Sequence, residues 1–264
     1  MLVFAALLLF MLPGFAPSYG QDGPAPDNSS TPIVTDRPTV TNSSVVVPDG
    51  SFQLENGFLN TDHGQNIADA PETLIRFGVA KKTELRLYVP DYYYNVTAGG
   101  GPGSGFGDLA VGVKQQLGPT KGGFDVSATV FLSFPTGAVR VTSGGYDPGL
   151  QVAWSHGLSA KWTAAGMLSL YGPTVDHSHD LTGEATFFVD RALAPTWDAI
   201  VEYVGDFPER GGSRQFVQFA TELRVGKLQH QQIDLHFGVG ITPAAPYHFI
   251  GVGYSFRFQA VHRR

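Results

Sequence analysis

The chain has 264 residues, 15% of them charged and 42% apolar, and a net charge of −6 at pH 7. The acidic balance and the lack of any basic patch exclude nucleic acid as a partner, and the absence of cysteine excludes both disulfides and a thiol-linked lipid anchor. A charged fraction well below the roughly 25% of soluble domains means that something other than a charged surface keeps this chain in its solvent.

Residues Leu2 to Leu12 form an unbroken apolar run, followed by the small residues and prolines of Pro13 to Gly20. The run is too short for a spanning helix, which needs about twenty apolar residues, and reads as the h-region of a secretory leader over residues 1–20. The basic residue usual at the start of such a leader is missing. Residues 21–50 are rich in Pro, Ser, Thr and Asn without apolar periodicity. They predict an extended polar segment, either hanging in the periplasm or folded into a lumen as a plug.

From Ser51 onward the chain repeats with a period of two, the period of a β-strand. Phe52, Leu54 and Phe58 alternate with Gln53, Glu55 and Gly57. Next, Ile75, Phe77 and Val79 flank Arg76, and Leu85, Leu87 and Val89 alternate with Glu84, Arg86 and Tyr88. The unit that sets the pattern is the hairpin Gly107 to Phe134. One arm sets Leu109, Val111 and Val113 against Asp108 and Lys114, and the other sets Val126, Val130 and Leu132 against Asp125 and Thr129.

Similar segments follow at 147–156, 161–170, 181–190, 197–207, 215–225, 232–241 and 247–258. Inward positions there collect Glu184, Phe188, Glu202, Glu222, Arg224, Asp234, His236 and Arg257. Connections between strands alternate long and short. Asn60–Pro71, Pro90–Phe106, Pro135–Tyr146, Tyr171–Asp180 and Pro208–Arg214 are the long ones, expected as outer loops. Phe124, Trp154, Trp162, Trp197 and Phe258 gather near the short turns, as an interfacial girdle would. The pattern predicts an all-β fold: a transmembrane antiparallel up-and-down β-barrel of about twelve strands over residues 51–258, with a short tail at 259–264.

Several stretches strengthen this reading. Thr35-Asp-Arg-Pro38, Phe52-Gln-Leu-Glu-Asn-Gly57, Glu72-Thr-Leu-Ile-Arg-Phe-Gly78, Thr83-Glu-Leu-Arg-Leu87, Gly107-Asp-Leu-Ala-Val-Gly-Val-Lys114, Phe134-Pro-Thr-Gly137 and Gly251-Val-Gly-Tyr-Ser-Phe-Arg-Phe258 together resemble the family described as putative MetA-pathway of phenol degradation. The resemblance runs from Thr35 to Phe258. It implies a barrel in the bacterial outer membrane, with uptake of aromatic compounds as the family's suggested role. It also makes barrel-assembly machinery a partner through the Phe258 region, although Gln259-Ala-Val-His-Arg-Arg264 follows the usual terminal Phe.

The candidate lining of the bore is Glu55, Arg76, Glu84, Arg86, Tyr88, Asp108, Lys114, Asp125, Glu184, Phe188, Glu202, Glu222, Arg224, Asp234, His236 and Arg257. A charge on the lipid face would cost about 2–4 kcal/mol at midplane, so strand charges belong inside, pairing across strands or forming a selectivity surface. Acids outnumber bases among them, which favours cations in transit. Arg76, Arg86, Lys114 and Glu202 fall near mid-height, and Tyr88 and Phe188 offer contacts to an aromatic solute.

The function expected is therefore a porin-like outer-membrane transporter for passive passage of small solutes, with membrane lipid and solute as partners. A structural or surface-interaction barrel without transport is one alternative. Another is an outer-membrane hydrolase, since aligning Asp234 with Arg257 would set His236 opposite Ser255. Asp176-His-Ser-His-Asp180 reads as a solvated outer loop before a metal site. The glycine run from Gly99 to Gly107 lacks the Gly-Lys-Ser/Thr ending of a phosphate loop, so no cofactor is expected.

Overall fold

In the computed structural model, residues 31–98 and 101–261 are described. The predicted leader, residues 21–30 of the polar segment and residues 262–264 lie outside them. The described residues contain no helix. In chain order the strands are β1 (Ser51–Asp62), β2 (Asn66–Ala70), β3 (Leu74–Ala80), β4 (Thr83–Tyr88), β5 (Tyr92–Ala98), β6 (Gly101–Phe106), β7 (Leu109–Gln116), β8 (Phe124–Phe134) and β9 (Asp147–Ser159). They continue with β10 (Trp162–Tyr171), β11 (Thr174–Val175), β12 (Ser178–His179), β13 (Thr182–Ala194), β14 (Trp197–Pro208), β15 (Arg214–Val225), β16 (Gln231–Gly240) and β17 (His248–Gln259).

All but the small β11–β12 hairpin join one antiparallel sheet, which closes on itself because β17 pairs with β1 from Ser51↔Gln259 to Asp62↔His248. Three wall positions are each shared by two strands, β2 with β3, β4 with β5 and β6 with β7, so the ring has twelve places. Closure removes the open edges that a membrane would otherwise leave unpaired.

Burial is inverted relative to a soluble domain. Gln53, Glu55, Arg76, Glu84, Lys114 and Glu202 have no exposed surface at all, whereas Leu235, Val252, Phe219 and Leu168 are 48%, 46%, 55% and 65% exposed. The same period of two that forms each strand thus directs apolar side chains to lipid and polar ones to the bore. Phe124, Trp162, Trp197 and Phe258 are exposed on the outer face near the end of the barrel that holds both termini. Trp154 lies farther along β9, its ring over Gly166 of β10.

Two expected outer loops are corrected. Residues 60–71 and 90–106, including much of the glycine run, form strands. The wall is in fact split. Its half nearest the termini runs β1-β3-β4-β7-β8, while the far half runs β1-β2-β5-β6 and stops. The far edge of β6 is covered by loop backbone instead of a strand, with Ala138 N donating to Phe106 O at 2.8 Å. The strands break where Pro71 removes a donor, and where Asp108 turns aside. The carboxylate of Asp108 accepts from Gly137 N at 2.8 Å and Ser143 N at 3.0 Å. Asp108 is therefore an anchor for the outer loop and not a pore-lining charge. Residues 171–180 likewise contain the β11–β12 hairpin.

The polar segment enters the barrel. Ile33 N donates to Gln229 O at 2.8 Å near one side of the terminal end, and the chain leaves through Asp49, which bridges Gly78, into β1. A Cβ on Gly78 would collide with the Pro48 carbonyl, so the glycine lets the segment press against the wall.

Candidate functional site in the lumen

The inner ends of β1, β3, β4 and β7 place charges on one patch. Arg76 and Arg86 stand directly across from each other in the β3–β4 register, an arrangement that repels unless acids lie between them. Glu84 takes Arg76 Nε and Nη2, both at 3.0 Å, and Arg86 Nη1 at 3.0 Å. Glu55 takes Arg76 Nη1 at 2.9 Å.

The wall here holds three cations, Arg76, Arg86 and Lys114, against two acids, Glu55 and Glu84. The third acid comes from the segment. Asp36 lies 3.3 Å from both Arg76 Nη1 and Lys114 Nζ and accepts a hydrogen bond from Arg86 Nη2. Burial alone would raise the Asp36 carboxyl, but Arg76, Arg86 and Lys114 outweigh it and hold the carboxyl well below the usual range.

Across the bore a second set of contacts grips the segment by its backbone. Glu202 accepts from Val40 N at 2.9 Å, Thr41 N at 2.8 Å and Thr41 Oγ1 at 2.6 Å, and from Gln218 Nε2. Asn42 Nδ2 donates to Gln151 Oε1 at 2.7 Å, and Ser44 Oγ lies 2.7 Å from Ser155 Oγ. On the return, Val47 N donates to Glu84 Oε2 at 2.7 Å. The segment has no strand ladder of its own and is held by side chains from nearly every side of the wall.

Arg37 makes a third attachment, donating to Glu72 Oε2 at 2.6 Å and Asp234 Oδ1 at 3.4 Å. Its guanidinium lies where side chains on Gly57 and Gly253 would stand. These inward glycines leave a shelf for it.

The expected bore residues Glu55, Arg76, Glu84, Arg86, Lys114, Glu202, Asp234, His236 and Arg257 are all buried in the interior. Tyr88 is there too, its Oη accepting from Arg86 Nε at 2.8 Å and its ring 6.0 Å from Phe131. Phe188 is across from Glu202 on β13. Asp125 and Glu184 fall at inward positions on β8 and β13, and Ser169 Oγ donates to Glu184 Oε1 at 2.8 Å. Arg224 pairs with Asp198, with Glu222 3.9 Å from its other nitrogen. The four mid-height residues, Arg76, Arg86, Lys114 and Glu202, are thus occupied with the segment.

The register expected for β16 and β17 is corrected. Asp234 stands opposite Gly253, Gln232 opposite Ser255 and His236 opposite Gly251. Asp234 therefore meets Arg37 and not Arg257, whose Nη1 donates to Pro32 O at 3.2 Å. Ser255 Oγ and His236 Nδ1 have no hydrogen-bond partner, so no serine–histidine pair is assembled. Among the described residues no three His, Asp or Glu side chains gather as metal ligands. His179 Nε2 instead lies 3.1 Å from Tyr146 O, and Asp180 takes Arg210 N at 3.0 Å.

Asp36, Arg37 and Thr41 were absent from the sequence-derived set. In sequence Glu55, Glu84 and Asp108 balance Arg76, Arg86 and Lys114; the vacancy that Asp36 fills exists only because Asp108 turns to the outer loop.

A closed wall, apolar outside and charged within, with a segment of its own chain docked in the bore, defines a plugged transmembrane β-barrel. The chain belongs to the family described as Putative MetA-pathway of phenol degradation, which matches residues 35–258. Among curated proteins the chain has no match. Among solved structures it is similar to the COG4313 outer membrane channel from Pseudomonas putida F1, at 12% identity and TM-score 0.61, over 84% of this chain and 100% of that one. It is also similar to the NanC porin, at 9% identity and TM-score 0.56, over 78% and 98%. A third is the KdgM porin in complex with disordered oligogalacturonate, at 10% identity and TM-score 0.54, over 79% and 99%.

Proposed function

We propose that this protein sits in the bacterial outer membrane and passes small solutes passively, aromatic and hydrophobic compounds among them, when its N-terminal segment leaves the bore. The observation that carries the reading is the segment itself. About eight strands already enclose an interior that side chains can fill, and a twelve-place ring leaves more room than that. The extra room is occupied by residues 31–48, which belong to no strand and are tied by side-chain hydrogen bonds and ion pairs. Such ties can be released without disturbing the ladders of the wall. The names of the fold neighbours support the channel class. The family description and the interior rings of Tyr88, Phe131 and Phe188 support the aromatic class of solute.

The test is planar-bilayer conductance of the full chain beside a variant lacking residues 31–46, which keeps the root at Val47 to Gly50. The variant should open a larger and steadier conductance, and an equally sealed bilayer would remove the channel reading. Uptake into liposomes of a phenolic compound, compared with an aliphatic polyol of similar size, tests the solute class. Equal rates would leave a channel without aromatic preference.

A further inference from the structure

The outward face of the wall carries one Lys or Arg among the described strand residues, Arg191 of β13. It is exposed, on the same side as Phe187 and Leu193, both 46% exposed. It stands directly across from Trp162 of β10, with its guanidinium carbon 5.1 Å from the indole centroid. Lys161, also exposed, precedes Trp162 in the β9–β10 turn. Neither cation has an acidic partner among the ion pairs of the described residues, which engage other side chains. Trp197, 46% exposed on the neighbouring β14, extends the aromatic surface beside them.

The turns of this rim have the same sign. The turns at the terminal end span 81–82, 117–123, 160–161, 195–196 and 226–230; they contain exposed Lys81, Lys82, Lys121, Lys161 and Lys227 and no Asp or Glu. The loops of the opposite end hold Asp108, Asp176, Asp180 and Glu209 beside Arg140 and Arg210. A cation on the outward face costs several kcal/mol at midplane and close to nothing at the interface, so Arg191 belongs at headgroup level, where Trp also resides. An unpaired guanidinium over an indole, with a lysine one residue before that indole whose carbonyl accepts from Ala192 N at 2.9 Å, fits a phosphodiester by charge and by the two-pronged geometry of the guanidinium.

We propose that Arg191, Lys161 and Trp162 form a headgroup site for an anionic phospholipid of the periplasmic leaflet, with the lysines of the other turns as its basic surround. The site rests on the outer-membrane placement proposed above and not on solute passage.

Native mass spectrometry of the detergent-solubilised full chain, titrated with phosphatidylglycerol or with phosphatidylethanolamine, tests it. The wild type should retain phosphatidylglycerol preferentially, and the preference should shrink as salt rises. Each basic residue at an anionic surface is worth about fivefold in affinity, so K161Q/R191Q should lose roughly tenfold or more, while K227Q loses little. W162L, which keeps an apolar side chain, should weaken retention less than the double variant. If K161Q/R191Q does not fold, the salt dependence of the wild type decides alone. Equal retention of both lipids by the wild type, a preference indifferent to salt, or an unaffected folded double variant would overturn the site. Failure of the wild type to insert into bilayers would instead remove the membrane placement.

Discussion

Glu202 of β14 and Thr41 of the N-terminal segment meet across the bore through two hydrogen bonds, at 2.8 Å to the Thr41 amide and 2.6 Å to its hydroxyl. One carboxylate thus accepts from both donors of a residue whose buried amide would otherwise be unpaired. Glu202→Ala should orphan Thr41 N and Val40 N, leaving Thr41 Oγ1 with only the Thr186 hydroxyl and Gln218 Nε2 with only the Pro38 carbonyl. At about 1–3 kcal/mol for each unsatisfied donor, the segment should spend far more time out of the bore. Limited proteolysis of the solubilised protein should cut residues 31–48 at least tenfold faster in the variant, with Glu202→Gln between the two. Unchanged cutting would mean that the grip lies elsewhere.

The hydroxyls of Thr41 and Thr186 lie 2.5 Å apart, joining the segment to β13. Because the chain has no cysteine, T41C/T186C should form a single defined disulfide. Conductance should be abolished under oxidising conditions and return on adding reductant. A cross-linked protein that conducts normally would contradict a moving segment.

Asp36 completes the charge of the patch formed by Arg76, Arg86 and Lys114. Removing one member of a buried ion-pair set costs about 3–5 kcal/mol, because the remaining charge stays buried and unpaired. Asp36→Ala should lower the temperature at which the compact, heat-modifiable form is lost on electrophoresis, and should loosen the segment as well. Since its folded-state carboxyl is held below the usual value, its stabilisation is present above about pH 4 and fades only as pH falls through the lower value. Mild acidification from neutral to about pH 5 should therefore leave the contacts of Asp36 with Arg76, Arg86 and Lys114 in place.

A Cβ on Gly253 would overlap Arg37 and Asp234. Gly253→Ala should displace the Arg37 guanidinium and break its contact with Asp234, raising segment mobility without altering the β16–β17 ladder. Site-directed spin labels on Ser43 should report the added motion, and no change would show that Arg37 is not held by this shelf.

With residues 31–46 removed, the bore loses Asp36 and Arg37 but keeps Glu184, Glu202, Asp206, Glu222 and Asp234 on its β13–β16 side, where Arg224 and Arg214 are the nearby cations. Reversal potentials in a salt gradient should show cation preference, diminished by E184Q/E202Q. Anion preference would be incompatible with this lining.

The alternation of Leu235, Phe237 and Val239 with Asp234, His236 and Gly238 carries its geometry in the sequence. A strand has one rotation per residue, so which side chains meet lipid follows from order alone. The interrupted positions were less legible. Asn66–Ala70 and Gly101–Phe106 are short and poor in apolar alternation, and they are strands because β1 and β5 supply their ladder partners. The register of the last hairpin was also hidden. Several offsets keep apolar residues outside, and the inward space available at Gly251 and Gly253 selects among them.

By itself, then, the order of residues determined a closed β-wall, its two faces, its strand-bearing range and the identity of nearly every interior charge. The position of Asp36, Arg37 and Thr41 was decided only by tertiary structure. A segment without periodicity has no preferred face of its own. It settles where buried donors and charges on distant strands lack partners, and those vacancies exist only once Arg76, Arg86, Lys114 and Glu202 have been brought around the same bore.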